Sequence, residues 1–242
     1  MIREYAISFF CPAYNDEKNI EETVISAINF LKSVAREYEV IVIDDGSSDA
    51  TGEVADSLAK NLENVRVIHH LENKGYGAAL RTGFKNSKYP IIIYTDGDHQ
   101  FDITEFSKML PLLKNYDCVI GFRINRADSA LRLFQSKVYN FIINVLFGLK
   151  VKDVDCAMKA FHRYVIENVQ TNFSSTLFCA ELLLKIKLKG FRVAQVGVHH
   201  YPRKHGKAAG GSLRVVIRTI IDLIKFYYEY LIFSSPKKGG VA

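Results

Sequence analysis

The chain alternates short runs of β-branched and aromatic residues with segments whose apolar positions recur every three or four residues. No other feature limits its fold as much. Tyr5–Phe10, Glu39–Asp44, Val65–His70, Ile91–Asp96 and Asp117–Phe122 each have the length and composition of a strand. Between the first two, Ile20, Val24, Ala27, Ile28, Leu31 and Val34 mark one face of a helix drawn over Glu17–Tyr38. Further helices fall over Thr51–Asn61, with Ser48 or Asp49 as cap, over Tyr76–Phe84 and over Thr104–Lys114. This βαβαβαβαβ order predicts an α/β fold, a mostly parallel sheet with helices on both faces. Ligands of such sheets bind at the carboxyl ends of the strands. Three of those ends lead into polar or acidic turns, "CPAYND", "DDGSSD" and "DGDHQ", so a functional site is expected there.

The 242 residues contain no repeat and suit one large domain, or one domain with a tail. A net charge of +6 favours an anionic partner: nucleotide, phosphate, anionic lipid or nucleic acid. Cys11, Cys118, Cys156 and Cys179 are scattered with no CxxC pair, which predicts reduced thiols in a cytosolic protein. "MIREYAISFF" lacks the layout of a signal peptide and reads as the first strand. The turn after that strand has no glycine, against a GxGxxG dinucleotide site, and "HGKAAG" lacks the first glycine and the hydroxyl residue of a P-loop. His199 and His200 are adjacent in an extended run, face opposite sides, and cannot share one ion.

"IIIYTDGDHQFD" (Ile91–Asp102) places three carboxylates, Asp96, Asp98 and Asp102, within seven positions. They repel unless something offsets their charge. In an extended chain Asp96 and Asp98 share a face, and a divalent cation between them converts repulsion into coordination. Hard oxygen ligands suit Mg²⁺ or Mn²⁺, and Gln100 can add an amide oxygen. The other reading is an acidic turn in which Asp102 caps the next helix.

Four motifs taken together, "PAYND" (Pro12–Asp16), "VIDDGSSDAT" (Val42–Thr51), "NKGYGAALRTGF" (Asn73–Phe84) and "DGDHQ" (Asp96–Gln100), resemble the nucleotide-sugar half of the family 2 glycosyltransferases, which adopt the GT-A fold. Downstream, "DVDCAMKAFHR" (Asp153–Arg163), "FCAELLLKIKLKGFRV" (Phe178–Val193) and "YPRKHGKA" (Tyr201–Ala208) resemble the polyprenyl-phosphate branch, which includes the dolichol-phosphate mannose synthases. The resemblance implies a nucleotide pocket at Pro12, Tyr14, Asp16, Asp44, Asp45 and Lys74. It implies a metal–diphosphate motif at Asp96, Asp98 and Gln100, served by Mg²⁺ or Mn²⁺. It puts Arg123, Arg132, Arg203 and Lys207 at the acceptor phosphate, and counts Asp96, Asp98, Arg123 and Asp153 as catalytic. Where the family more often has Glu, glycine and arginine, this chain has Asp16, Ala157 and Lys159. Read from the residues alone, Asp45 also fits an Asx-turn before Gly46, Asp153 a helix cap, and Lys74, Arg81 and each arginine a solvated surface charge.

A lipid phosphate needs no general base, since its oxygens are ionised at neutral pH; it needs cations to hold it in line with the anomeric carbon. "VYNFIINVLFGL" (Val138–Leu149) is too short to span a bilayer. In Ser212–Phe233 the charges Arg214, Arg218, Asp222, Lys225 and Glu229 form one narrow stripe on an otherwise apolar helix, and Lys237 and Lys238 follow. Such a helix is expected in a membrane interface, packed on another chain, or docked on the protein's own core. The expected division is 1–210 for the transferase, split at 122/123 into donor and acceptor halves, and 211–242 for an amphipathic helix and basic tail. The expected activity is inverting transfer of one sugar from a nucleotide sugar to a polyprenyl phosphate, at the cytosolic membrane surface, with a homo-oligomer left open. A glycan or other lipid acceptor, a non-catalytic nucleotide-sugar module, and nucleic-acid binding are the competing readings. Carboxylates at the expected site and the lack of an aromatic–basic RNA motif argue against nucleic acid.

Overall fold

The computed structural model describes residues 4–126, 128–206 and 213–234, the last segment with side chains at 219–228, 230 and 231. The described residues form a seven-stranded sheet in the order β3-β2-β1-β4-β6-β5-β7. Its strands are β1 (Tyr5–Ala13), β2 (Ala35–Asp44), β3 (Val65–His69), β4 (Ile91–Tyr94), β5 (Cys118–Ile124), β6 (Lys159–His162) and β7 (Val193–His199). Every pairing is parallel except those of β6, which runs against both β4 and β5. β1 and β4 are buried almost throughout, as their unbroken apolar sequences require.

The helices are α1 (Ile20–Val34), α2 (Thr51–Asn61), α3 (Tyr76–Asn86), the single turn α4 (Phe106–Met109), α5 (Ala130–Phe147), α6 (Arg163–Glu167), α7 (Phe178–Leu188) and α8 (Leu213–Ser234). α3 covers one face through an aromatic cluster: the Phe84 ring lies 5.0 Å from Phe10, 5.6 Å from Tyr94 and 5.5 Å from Phe161. α7 adds Phe178 to that cluster, and Phe30 of α1 meets Phe106 of α4.

Three local expectations need correction. The helix drawn to Tyr38 stops at Val34, because Ala35, Glu37 and Tyr38 pair with β1; a backbone ladder outweighs a helical pattern at the end of its run. Thr104–Lys114 is a regular helix only over Phe106–Met109, with 3₁₀ turns at Ile103–Glu105 and Leu110–Lys114; Pro111 lacks the amide that a continuous helix needs. β6 was not anticipated, since four residues beginning with a lysine carry almost no strand pattern.

Of the settings expected for α8, docking on the protein's own core is the one observed. Phe226 is only 3 % exposed and packs 4.9 Å from Phe147 and 5.5 Å from Phe173, so one face is docked on the core. Ile220, Ile221, Ile224, Tyr228 and Leu231 are exposed on the rest of it. Among the described residues no helix is long and apolar enough to cross a membrane. Arg214, Arg218, Glu229, Lys237 and Lys238 lie outside the described side chains.

Candidate active site

The carboxyl ends of β1, β2 and β4 lie side by side and bring three turns together. The Asp45 amide donates to the Ala13 carbonyl and the Gly97 amide to the Pro12 carbonyl, which fixes both acidic turns against the end of β1. A Cβ on residue 97 would come within 2.9 Å of the Pro12 oxygen, so only glycine allows this approach. Asp96 and Asp98 therefore stand on a turn beyond β4 rather than on one face of an extended strand. They are still electrostatic neighbours. Burial first, and then the Asp96 charge, push the Asp98 carboxyl up to about 7, with Arg203 opposing. Burial likewise raises Asp96, against the pull of Tyr76, Lys159 and Arg123.

The nucleotide-side residues differ in their commitments. Tyr14 is 41 % exposed, and Lys74 is exposed. Asp44 accepts from the Ser47 amide at 3.0 Å and meets His69 Nδ1 at 2.9 Å; burial would raise it, but these contacts hold it below the usual carboxylate range. Asp45 does not close an Asx-turn on Gly46. Its carboxylate takes His70 Nδ1 at 2.6 Å and the amides of Lys74 and Gly75 at 3.0 and 2.9 Å, so it shapes the loop that starts α3. Gly75 has φ +92°, and a Cβ there would meet the Ser174 oxygen at 2.6 Å. That loop delivers Tyr76, whose hydroxyl donates to Asp96 Oδ1 at 2.9 Å.

Asp16 and Asp98 are linked across the cleft by Arg203, which pairs with Asp16 and lies 3.7 Å from Asp98. The strap carrying Arg203 is fastened by Lys204 to Glu22 at 2.7 Å, by the Gln100 side-chain amide to the Tyr201 carbonyl at 2.9 Å, and by Asn19 to the His205 carbonyl. Lys207 lies outside the described residues. Arg123 and Asp153 meet in a two-point ion pair at 2.7 and 2.8 Å, both largely buried; Asp153 caps no helix. Burial opposes both charges, yet their contact raises Arg123 and lowers Asp153. Arg132, in the first turn of α5, reaches Asp128 at 3.5 Å. His199 pairs with Glu105 at 2.5 Å while His200 packs on Phe101, so the adjacent histidines do part company.

Among the described residues no three His, Cys, Asp or Glu side chains converge as a ready-made metal cage. Two hard carboxylates at the mouth of a cleft suit an ion that takes its remaining ligands from phosphate oxygens, as Mg²⁺ and Mn²⁺ commonly do. All four cysteines are buried free thiols, as expected of reduced residues. Sequence reasoning missed Tyr76, the middle residue of an ordinary GYG, and gave no site role to the fully buried Lys159.

The profile of Glycosyl transferase family 2 matches residues 8–170. The chain belongs to that family. Among curated relatives, undecaprenyl-phosphate 4-deoxy-4-formamido-L-arabinose transferase of Pseudomonas fluorescens is 28 % identical over 226 residues, covering 91 % of this chain and 64 % of the relative. The transferase of the same name from Shewanella sediminis is 28 % identical over 241 residues, covering 98 % and 71 %. This family 2 glycosyltransferase thus spans about two thirds of the length of such relatives. Glucosyl-3-phosphoglycerate synthase of Mycobacterium tuberculosis, solved with Mn²⁺, UDP and phosphoglyceric acid, superposes with a TM-score of 0.71 at 20 % identity, over 97 % of this chain and 81 % of that one. Mannosyl-3-phosphoglycerate synthase of Rubrobacter xylanophilus gives 0.69 at 14 % identity, over 98 % and 79 %. The GT-A fold expected from the sequence is the fold observed.

Proposed function

We propose that this glycosyltransferase moves one sugar from a nucleoside diphosphate donor to a polyprenyl phosphate at the cytosolic surface of a membrane. One observation carries the reading: the half-buried carboxylates Asp96 and Asp98 stand beside the nucleotide-side turns, with Arg203 3.7 Å from Asp98 and the charge of Arg123 acting on Asp96. The names of the curated relatives support the acceptor class.

In this reading the nucleoside rests on Pro12, Tyr14, Asp16, Asp44, Asp45 and Lys74. An Mg²⁺ or Mn²⁺ held by Asp96 and Asp98, with Gln100, would neutralise the departing diphosphate. Arg203, released from Asp16 and Asp98, Arg123 and Arg132 hold the acceptor phosphate, with Lys207 beside them. A phosphate oxygen of the lipid forms the new bond to the anomeric carbon as the bond to the nucleoside diphosphate breaks, inverting the centre in one displacement. Asp153 keeps the Arg123 fork oriented and balances its charge.

The membrane setting draws support from a surface not foreseen in the sequence. On α5, Leu131, Phe134, Val138, Phe141 and Val145 are 40–68 % exposed and recur at helical spacing along one face. α5 carries no acidic residue and touches α8 through Phe147 and Phe226. Together with the exposed face of α8 this is far more exposed apolar surface than scattered residues would give.

The test is direct. The protein is incubated with a panel of nucleotide sugars, Mg²⁺ or Mn²⁺ and undecaprenyl phosphate, and the lipid phase is read by mass spectrometry. A lipid gaining the mass of one glycosyl unit, with chelator abolishing it, is the expected result. Transfer only to glycans or to other lipids would overturn the acceptor, and full activity in chelator would overturn the metal.

A further inference from the structure

Among the described residues, five buried side-chain atoms have no hydrogen-bond partner: Thr95 Oγ1, His99 Nδ1, Tyr139 OH, Asp155 Oδ1 and His200 Nδ1. Folded proteins satisfy nearly all such atoms, so each one calls for an explanation. They are not scattered. Thr95 and His99 follow β4, His200 follows β7, Asp155 lies in the loop entering β6, and Tyr139 stands on α5 after β5. β6 runs opposite to its neighbours, so its entry loop lies at the same end of the sheet as the exits of β4 and β5. All five thus belong to segments at the end where the cleft lies.

Asp155 occupies a particular place among them. The charges of Arg123 and Lys159 act on it, and the same two cations act on Asp96. Neither cation is turned to Asp155: Arg123 is engaged with Asp153, and the Lys159 amine donates to the Cys156 carbonyl. Asp155 in turn acts on the Tyr139 phenol. A carboxylate and a phenol, each with a buried oxygen short of a partner, therefore lie near one another at the cleft end of the sheet, where the Val154 amide bonds Asn140 and where the charges that act on Asp155 also act on Asp96. In the proposed reaction the group being transferred occupies that same end of the sheet.

We propose that Asp155 and Tyr139 form the subsite that selects the transferred sugar, Asp155 accepting hydrogen bonds from two neighbouring hydroxyls and Tyr139 bonding a third polar group. This rests on reading the chain as a nucleotide-sugar transferase. An ionised carboxylate only accepts, through two oxygens side by side, which matches a vicinal diol; a phenol donates and accepts. The ligand class is a sugar with two adjacent free hydroxyls. An analogue lacking one of them leaves a buried polar group unpaired, the arrangement by which a site discriminates most sharply.

Asp155→Asn and Tyr139→Phe test the subsite. Calorimetric titration with Mn²⁺ present compares UDP-glucose, UDP-galactose, UDP-xylose and GDP-mannose, each with its bare nucleoside diphosphate. At least one sugar nucleotide should bind wild type ten times or more tighter than its diphosphate. Both variants should lose most of that gain while keeping affinity for the diphosphate within twofold. Without ligand their melting temperatures should hold or rise, because one change removes an unpaired hydroxyl and the other a buried charge. A fall in melting temperature would make the two groups structural and overturn the proposal. So would a sugar-dependent gain that is absent from wild type, or that survives undiminished in both variants. If wild type binds no nucleotide at all, the proposed function falls and the subsite with it, a different failure from the others.

Discussion

Replacing Asp98 by Asn removes a charge that the metal-free fold holds at a cost. Its carboxyl is raised from the ordinary 3.8 to about 7 by burial and by Asp96. At about 1.4 kcal/mol per unit, that shift sets an upper bound of about 4 kcal/mol on the destabilisation. Relaxation and water entry bring the expected value to about 2 kcal/mol. The sign follows from proton binding. Between 3.8 and 7 the folded state holds a proton that the unfolded state has released, so stability falls as pH rises through that window and levels off above it. In chelator at pH 8, Asp98→Asn should therefore melt about 4–8 °C above wild type. At pH 5 the advantage should shrink by more than half. Adding Mn²⁺ with UDP should reverse the order, since wild type gains binding energy and the variant loses a ligand. Differential scanning fluorimetry across pH, with and without Mn²⁺–UDP, reads all three effects. A variant no more stable than wild type at pH 8, or equally favoured at pH 5 and pH 8, would refute the account of these two carboxylates.

Arg123→Lys breaks the two-point contact with Asp153, and turnover on undecaprenyl phosphate should fall roughly ten- to hundredfold, with Mn²⁺–UDP affinity nearly unchanged; loss of nucleotide affinity instead would move this residue to the donor. Phe134→Glu combined with Phe141→Glu should cut sedimentation with phosphatidylglycerol vesicles at least tenfold and leave UDP binding intact. Should the pair leave vesicle binding alone but dissociate an oligomer in ultracentrifugation, the α5 face is an interface between copies. Phe226→Ala should cost about 3 kcal/mol in denaturant melts, since Phe226 fills a place beside Phe147 and Phe173; a cost below about 1 kcal/mol would mean that α8 is held by other contacts.

The first five strands and the helices α1, α2 and α3 were legible because each announces itself locally. β1, β2 and β4 are buried apolar runs, and α1 carries its apolar face at regular spacing. Strand order was not legible, and neither was the reversal at β6, because hydrogen-bond partners are chosen across the fold. The same division holds for the site. Asp96 and Asp98 could be paired on paper since only Gly97 separates them. The partnerships of Asp45 with the Lys74 and Gly75 amides, Tyr76 with Asp96, and Arg203 with Asp16 span 20 to 187 positions and leave no trace in any window. Asp155 and Tyr139 escaped notice for a further reason: what distinguishes them is a missing partner, which only a three-dimensional inventory detects.

The reversed strand has a practical corollary for anyone redesigning this enzyme. In a wholly parallel sheet only the segments leaving the strands border the cleft. Here the connection entering β6 borders it too, and that stretch, 148–158, includes Asp153, Asp155 and Cys156. It can be exchanged as a cassette without cutting β1, β2 or β4, which carry the nucleotide turns. At its other end β6 passes straight into α6, on the opposite edge of the sheet. Grafts that retune what is transferred, or to what, belong at the entry to β6, and fusion partners meant to leave catalysis alone belong near its exit.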